Sequence, residues 1–80
     1  MRDQRSFLFL WSESIRRGWD WPRALHEFEY DPITDQWKRG RERIKVSREG
    51  DVSVGLLMAR GIKREWIAER TKEYVESENE

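Results

Sequence analysis

The sequence predicts an α+β fold: one small domain, residues 1–80, in the order α-β-β-β-α, with its three strands forming an antiparallel meander. Three observations carry this expectation. Apolar residues recur at helical spacing near both ends of the chain. They alternate with polar residues in the middle. The alternating stretches are punctuated by Asp31–Pro32 and Glu49–Gly50, both turn signals. A chain of 80 residues buries only about 60–65% of its unfolded surface, so the core must be thin. Five Trp and three Phe offset this, since large aromatics each bury about 150–250 Å².

The first helix is expected from Asp3 to Arg17. Leu8, Trp11 and Ile15 fall at i, i+3 and i+7, and Phe7 and Leu10 widen the stripe. Asp3 and Ser6 are candidate caps, and Gly18 suits the left-handed position after a helix end. "GWDWP" should then break the chain, because Pro22 pushes Trp21 toward extended geometry. Trp19 and Trp21 flank Asp20 there, and one of them is expected to form an exposed aromatic patch.

His26, Phe28 and Tyr30 alternate with Glu27 and Glu29, the pattern of a half-buried first strand. Asp31–Pro32 opens a turn, since proline fixes φ and the aspartate bonds back to the backbone. The second strand is read through Trp37–Val46. A three-residue loop, Arg48–Glu49–Gly50, with Gly50 at positive φ, then returns the chain. That register pairs Val46 with Val52 and Ile44 with Val54, and sets Glu42 near Leu56; a two-residue loop would leave one face of the sheet badly filled. The last helix runs from Ile62 to about Glu76, with Ile62, Trp66, Arg70 and Tyr74 on one face and Gly61 at its start. Residues 76–80 are expected to fray as an acidic tail.

Two local resemblances accompany this reading. "YDP-x-T-x-x-W", formed by Tyr30, Asp31, Pro32, Thr34 and Trp37, resembles the hairpin corner of kelch propeller blades and implies a hairpin here. "GLLMARGIKREWIAERT" resembles the first two helices of a helix-turn-helix module, with Gly61 at the turn. It implies an alternative fold, mostly helical with a helix-turn-helix-like C-terminal half, in which residues 51–60 are helix rather than strand. The nine residues after Thr71 include four Glu, so a following recognition helix would repel phosphate.

Composition removes several classes of function. The chain has no Cys, which excludes a disulfide scaffold, a Cys-based zinc site and a thiol nucleophile. The longest apolar run, residues 7–11, is far short of the ~20 residues a membrane helix needs. An intracellular, cytoplasmic protein without membrane contact is expected. No metal-binding or nucleotide-binding motif is present, so no cofactor and no metal are expected.

Formal charge is zero, yet it is segregated. Residues 37–48 carry Lys38, Arg39, Arg41, Arg43, Lys45 and Arg48 against Glu42, or +6 − 1 = +5. Residues 26–35 carry Glu27, Glu29, Asp31 and Asp35, or −4. On a strand, Trp37, Arg39, Arg41, Arg43 and Lys45 share one face, with successive members about 6.6–7 Å apart. That spacing approximates the phosphates of a nucleic-acid strand, and Trp37 at the end is placed to stack on a base. Glu27 opposite Arg39 would neutralise one end of the stripe, which is also how an ordinary solvated face looks. Arg41, Arg43 and Lys45 have no acidic partner in this register.

The order of elements resembles double-stranded RNA-binding domains, in which a basic helix start follows the third strand; Lys63 and Arg64 of "GIKRE" stand at that place. It also resembles the small HicA-type toxins, whose first-strand His is catalytic; His26 in "RALHEF" matches that His. The expected function is a non-enzymatic binding protein whose basic strand face meets nucleic acid. The expected binding residues are Trp37, Lys38, Arg39, Arg41, Arg43, Lys45, Arg48, Lys63 and Arg64. A docking inhibitor or adaptor for an acidic protein surface is the alternative, and an RNA-cleaving toxin the third reading.

Overall fold

Nine consecutive residues of the first helix, Ser6–Ser14, are buried, so this helix is the shaft around which everything else is laid. The structure is a computed structural model and describes residues 3–77. Its elements are α1 (Gln4–Arg17), α2 (Trp21–Glu27), β1 (Glu29–Asp31), β2 (Gln36–Arg39), β3 (Glu42–Lys45), α3 (Gly50–Ala59) and α4 (Arg64–Glu76). The strands form an antiparallel meander in the order β1-β2-β3. The expected α+β class and its meander are therefore present, with two helices added. Glu76 closes α4; of the expected acidic tail, residues 78–80 lie outside the described residues.

α1 begins and ends as its sequence dictates. The Arg5 amide donates to Asp3 Oδ1 (2.9 Å), and Gly18 closes the helix at φ 75°. One side of the helix packs Phe9 and Leu10 against Ala24, Phe28, Trp37, Ile44 and Val46. The other packs Phe7, Leu8 and Trp11 against Leu57 and Ile67. A helix enclosed on both sides still carries polar residues. The hydroxyls of Ser6, Ser12 and Ser14 solve this by donating back to the carbonyls of Asp3, Phe9 and Leu10.

Proline acts differently from expectation at residue 22. It does not break the chain: it sits in the first turn of α2, where its missing N–H costs nothing. Asp20 takes the extended geometry in place of Trp21. His26 and Glu27 thus belong to a helix, and the first strand starts only at Glu29. Trp19 and Trp21 are both half-buried. Trp19 stacks on Phe28 (5.8 Å between rings), and Trp21 packs on Trp11 (4.5 Å). The expected exposed patch does not form at either.

The first hairpin matches the corner implied by "YDP". Asp31 Oδ1 accepts from the Ile33 amide (2.9 Å), and Tyr30 pairs with Trp37. Asp35, at φ 55°, ties the hairpin to α1 by accepting from Tyr30 Oη (2.5 Å) and Arg5 Nη2 (2.8 Å). These two donors hold its carboxyl below the usual range, while burial and the same carboxylate push the Tyr30 hydroxyl up.

The second hairpin differs from expectation. Residues 37–46 are not one strand, because Gly40 turns the chain and pairs Arg39 with Glu42. Residues 52–56 are helical, part of α3, so Gly50 opens a helix and is absent from the glycines at positive φ. The positive φ lies at Gly40 instead, at 57°. A side chain there is strained whatever space surrounds it. At Gly50 an added Cβ meets only Leu8 Cδ1, at 3.4 Å. Gly40→Val should therefore cost more than about 1 kcal/mol through strain. Gly50→Ala should be close to neutral. Denaturant titration of both variants checks this, and equal losses would place the turn elsewhere.

Candidate functional site

The turn at Gly40 redistributes the basic stripe. Side chains alternate along each strand, so Trp37 and Ile44, paired across β2 and β3, face α1 together. Trp37 is 1% exposed and its indole Nε1 donates to Ser6 O (2.9 Å), which leaves no face for a base. Arg39 shares that side of the sheet at its margin. It lies over the Phe28 ring (4.5 Å) and pairs with Glu42 (2.9 Å) and Glu27 (3.4 Å). Lys38 faces the other way and pairs with Asp31 (2.7 Å). This lysine, with the Ile33 amide, depresses the Asp31 carboxyl to about 2. Three of the expected residues are therefore committed within the fold.

Arg41 is exposed in the turn, and Arg43 and Lys45 stand on β3 pointing outward with Lys38. None of these three makes an ion pair among the described residues. Arg43 Nη1 donates to the carbonyls of Gly40 and Glu42 (both 2.7 Å), which fixes the root of the turn. Lys63 and Arg64 lie at the start of α4, where Arg64 lines a different groove with Asp3, Arg5 and Asp51. His26 is exposed in the last turn of α2 rather than on a strand.

What the structure does assemble is a groove of about 590 Å³ along the free edge of β3 beside the second half of α1. Phe9 and Ile44 form its apolar floor. Arg16, Arg17, Arg43, Lys45 and Arg48 line it against Glu13 and Glu42, a balance of 5 − 2 = +3. Arg43, Lys45 and Arg48 are among the binding residues expected from the sequence, as parts of a strand face and a loop rather than of this groove, whereas Arg16 and Arg17, which come from α1, are not. Their signal was available: Glu13, Arg16 and Arg17 stand at i, i+3 and i+4, with the arginines in the last turn of the helix, where cations suit its dipole.

Glu13 organises the groove from beneath. Its side chain is 5% exposed. Oε2 accepts from Arg16 Nη2 (2.6 Å) and Arg17 Nε (3.3 Å), and Oε1 accepts from Arg48 Nη1. Burial alone would raise the pKa of this carboxyl. The three guanidinium groups outweigh burial and hold it below the ordinary range. The Arg48 guanidinium also lies over the Phe9 ring (5.7 Å). One carboxylate thus positions three arginines and occupies only some of their donors.

No group of three or more His, Cys, Asp or Glu among the described residues is arranged to hold a metal ion. No helix among them is long and apolar enough to cross a membrane. No protein-family model, curated protein or solved structure matches the chain.

Proposed function

We propose that the protein is a non-enzymatic nucleic-acid-binding module that grips the phosphate backbone in the groove between α1 and β3. The observation that carries this reading is the surplus of cations there. Arg16, Arg17 and Arg48 share one carboxylate, while Arg43 and Lys45 have none within ion-pair distance. Arg41 extends the same charge around the turn. Arg43 and Lys45, two apart on one strand face, lie about 6.6–7 Å apart, a spacing suited to successive phosphates. With Trp37 enclosed in the core and Phe9, the aromatic that lines the groove, 3% exposed, the groove offers bases no stacking surface, so binding there is through the backbone and tolerant of sequence.

The test is a salt series. Labelled single-stranded and duplex DNA and RNA are titrated with protein by fluorescence anisotropy from low to physiological salt. Binding should weaken steeply as salt rises. Changing Arg41, Arg43 and Lys45 together to Gln should flatten the slope of log K against log salt by about two to three units. Arg41→Gln and Lys45→Gln should each alter stability by no more than about 0.5 kcal/mol, and Arg43→Gln should cost about 0.5–1.5 kcal/mol because it gives up the bonds to the Gly40 and Glu42 carbonyls. Negligible affinity for every DNA and RNA at low salt would overturn the reading, and so would an unchanged slope in the triple variant.

A further inference from the structure

α3 carries the longest uncharged run in the sequence. In a protein that is 40% charged, residues 52–59 carry no charge at all, although half of the helix faces solvent. Ser53 and Leu57 are buried against α1, and Gly50 meets Leu8. Away from that face Val52 is 52% exposed and Leu56 41%, and Met58, on the other flank of the helix, is 41% exposed. Val52, Gly55, Leu56 and Ala59 follow i, i+3, i+4 and i+7, which is one continuous helical stripe. A Cβ built on Gly55 would touch nothing within 4 Å, so the stripe is open and its centre is low enough for a second helix to approach.

We propose that this stripe is the contact between two copies of the chain, with the α3 helices packed antiparallel about a two-fold axis near Gly55 and Leu56. The charges at the two ends of the helix select this occupant. At 100° per residue, Glu49 before α3 and Arg60 after it fall on the same flank of the stripe. A two-fold axis between antiparallel helices keeps flanks and exchanges ends. Glu49 of each copy is thus brought beside the partner's Arg60, twice per dimer. Both side chains are exposed, and neither has an ion-pair partner among the described residues. A parallel arrangement would oppose Glu49 to Glu49 and Arg60 to Arg60. The antiparallel pair joins an apolar seam to two complementary ends, while a single ten-residue helix keeps the contact small and the dimer weak.

Sedimentation equilibrium from micromolar to millimolar protein, without nucleic acid, tests this. The expected result is a reversible rise in mass from 9.8 kDa toward twice that value. Leu56→Asp, an exposed substitution checked for folding by circular dichroism, should weaken association about tenfold or more by placing a charge in the seam. Glu49→Arg and Arg60→Glu should each weaken it about three- to tenfold, and the double reversal should restore it. A mass that stays at one chain throughout overturns the proposal. Association unaffected by Leu56→Asp places the contact elsewhere and overturns it too. A double reversal that is no better than the single ones overturns the antiparallel pairing.

Discussion

Replacing Trp37 by alanine should lower the stability of the fold by about 3–5 kcal/mol, the range for emptying a large aromatic site in a core. Trp37 is the largest side chain the sheet contributes to the interior, and it is 1% exposed. It touches both layers at once: its ring lies 5.4 Å from Tyr30 within the sheet and 6.4 Å from Tyr74 of α4. Its Nε1 bond to Ser6 O is the direct tie between β2 and the start of α1. Native domains are stable by only about 0.05–0.15 kcal/mol per residue, so this single change removes a large share of the total. Trp37→Phe separates the two contributions. It keeps most of the apolar contact and loses the hydrogen bond, which is worth about 0.5–1.5 kcal/mol. Thermal and urea melts followed by circular dichroism report both. An alanine variant as stable as the phenylalanine variant would mean that Trp37 is not a core residue.

The same residue explains where the sequence misleads. Trp37, Arg39, Arg41, Arg43 and Lys45 do alternate, and the alternation implies one strand through all five, where the structure has two strands, β2 and β3, joined by a turn that holds Arg41. Alternation, however, holds only while the strand is unbroken. Gly40 looked like an ordinary small residue between Arg39 and Arg41, and no apolar pattern flags its φ of 57°. Once the chain turns there, Trp37 is on the core side with Ile44 while Arg43 and Lys45 point outward.

Residues 50–59 misled for the opposite reason. Val52 and Val54 are strong strand formers, and Glu49–Gly50 is a strong turn signal. The burial of Ser53 and Leu57, four residues apart, marks a helix, but that spacing emerges only when α1 is known to lie beneath. The helix-turn-helix resemblance of 55–71 captured these two helices and their turn at Gly61 more faithfully than the strand pattern did. α1, its caps, the "YDP" hairpin and α4 were legible because each depends on local spacing and turn chemistry. The groove was only half legible, since a sequence window over 37–48 cannot show that Arg16 and Arg17 arrive from a helix packed alongside.

Changing Glu13 to Gln should move stability and anion affinity in opposite directions. The carboxylate is 5% exposed and is shared by Arg16, Arg17 and Arg48, so its loss removes charge-assisted hydrogen bonds at a buried acceptor. Severing a fully buried ion pair costs about 3–5 kcal/mol. The arginine side chains here are 53%, 39% and 26% exposed and can turn to water. A loss of about 1–3 kcal/mol is therefore expected. Folding lowers this carboxyl's pKa, so its contribution is complete above the unfolded value of about 4.3 and is lost as pH falls through the lower folded value. The gap in melting temperature between wild type and variant should be widest near neutral pH and close in acid. For binding, the balance in the groove rises from 5 − 2 = +3 to 5 − 1 = +4, and three guanidinium groups are released toward an incoming phosphate. On the reading proposed above, Glu13→Gln should bind nucleic acid more tightly at low salt and with a steeper salt slope. Lost stability without any gain in affinity would show that Glu13 and its arginines serve the fold alone. In that case Arg43 and Lys45 serve mainly to keep the free edge of β3 from pairing with another chain.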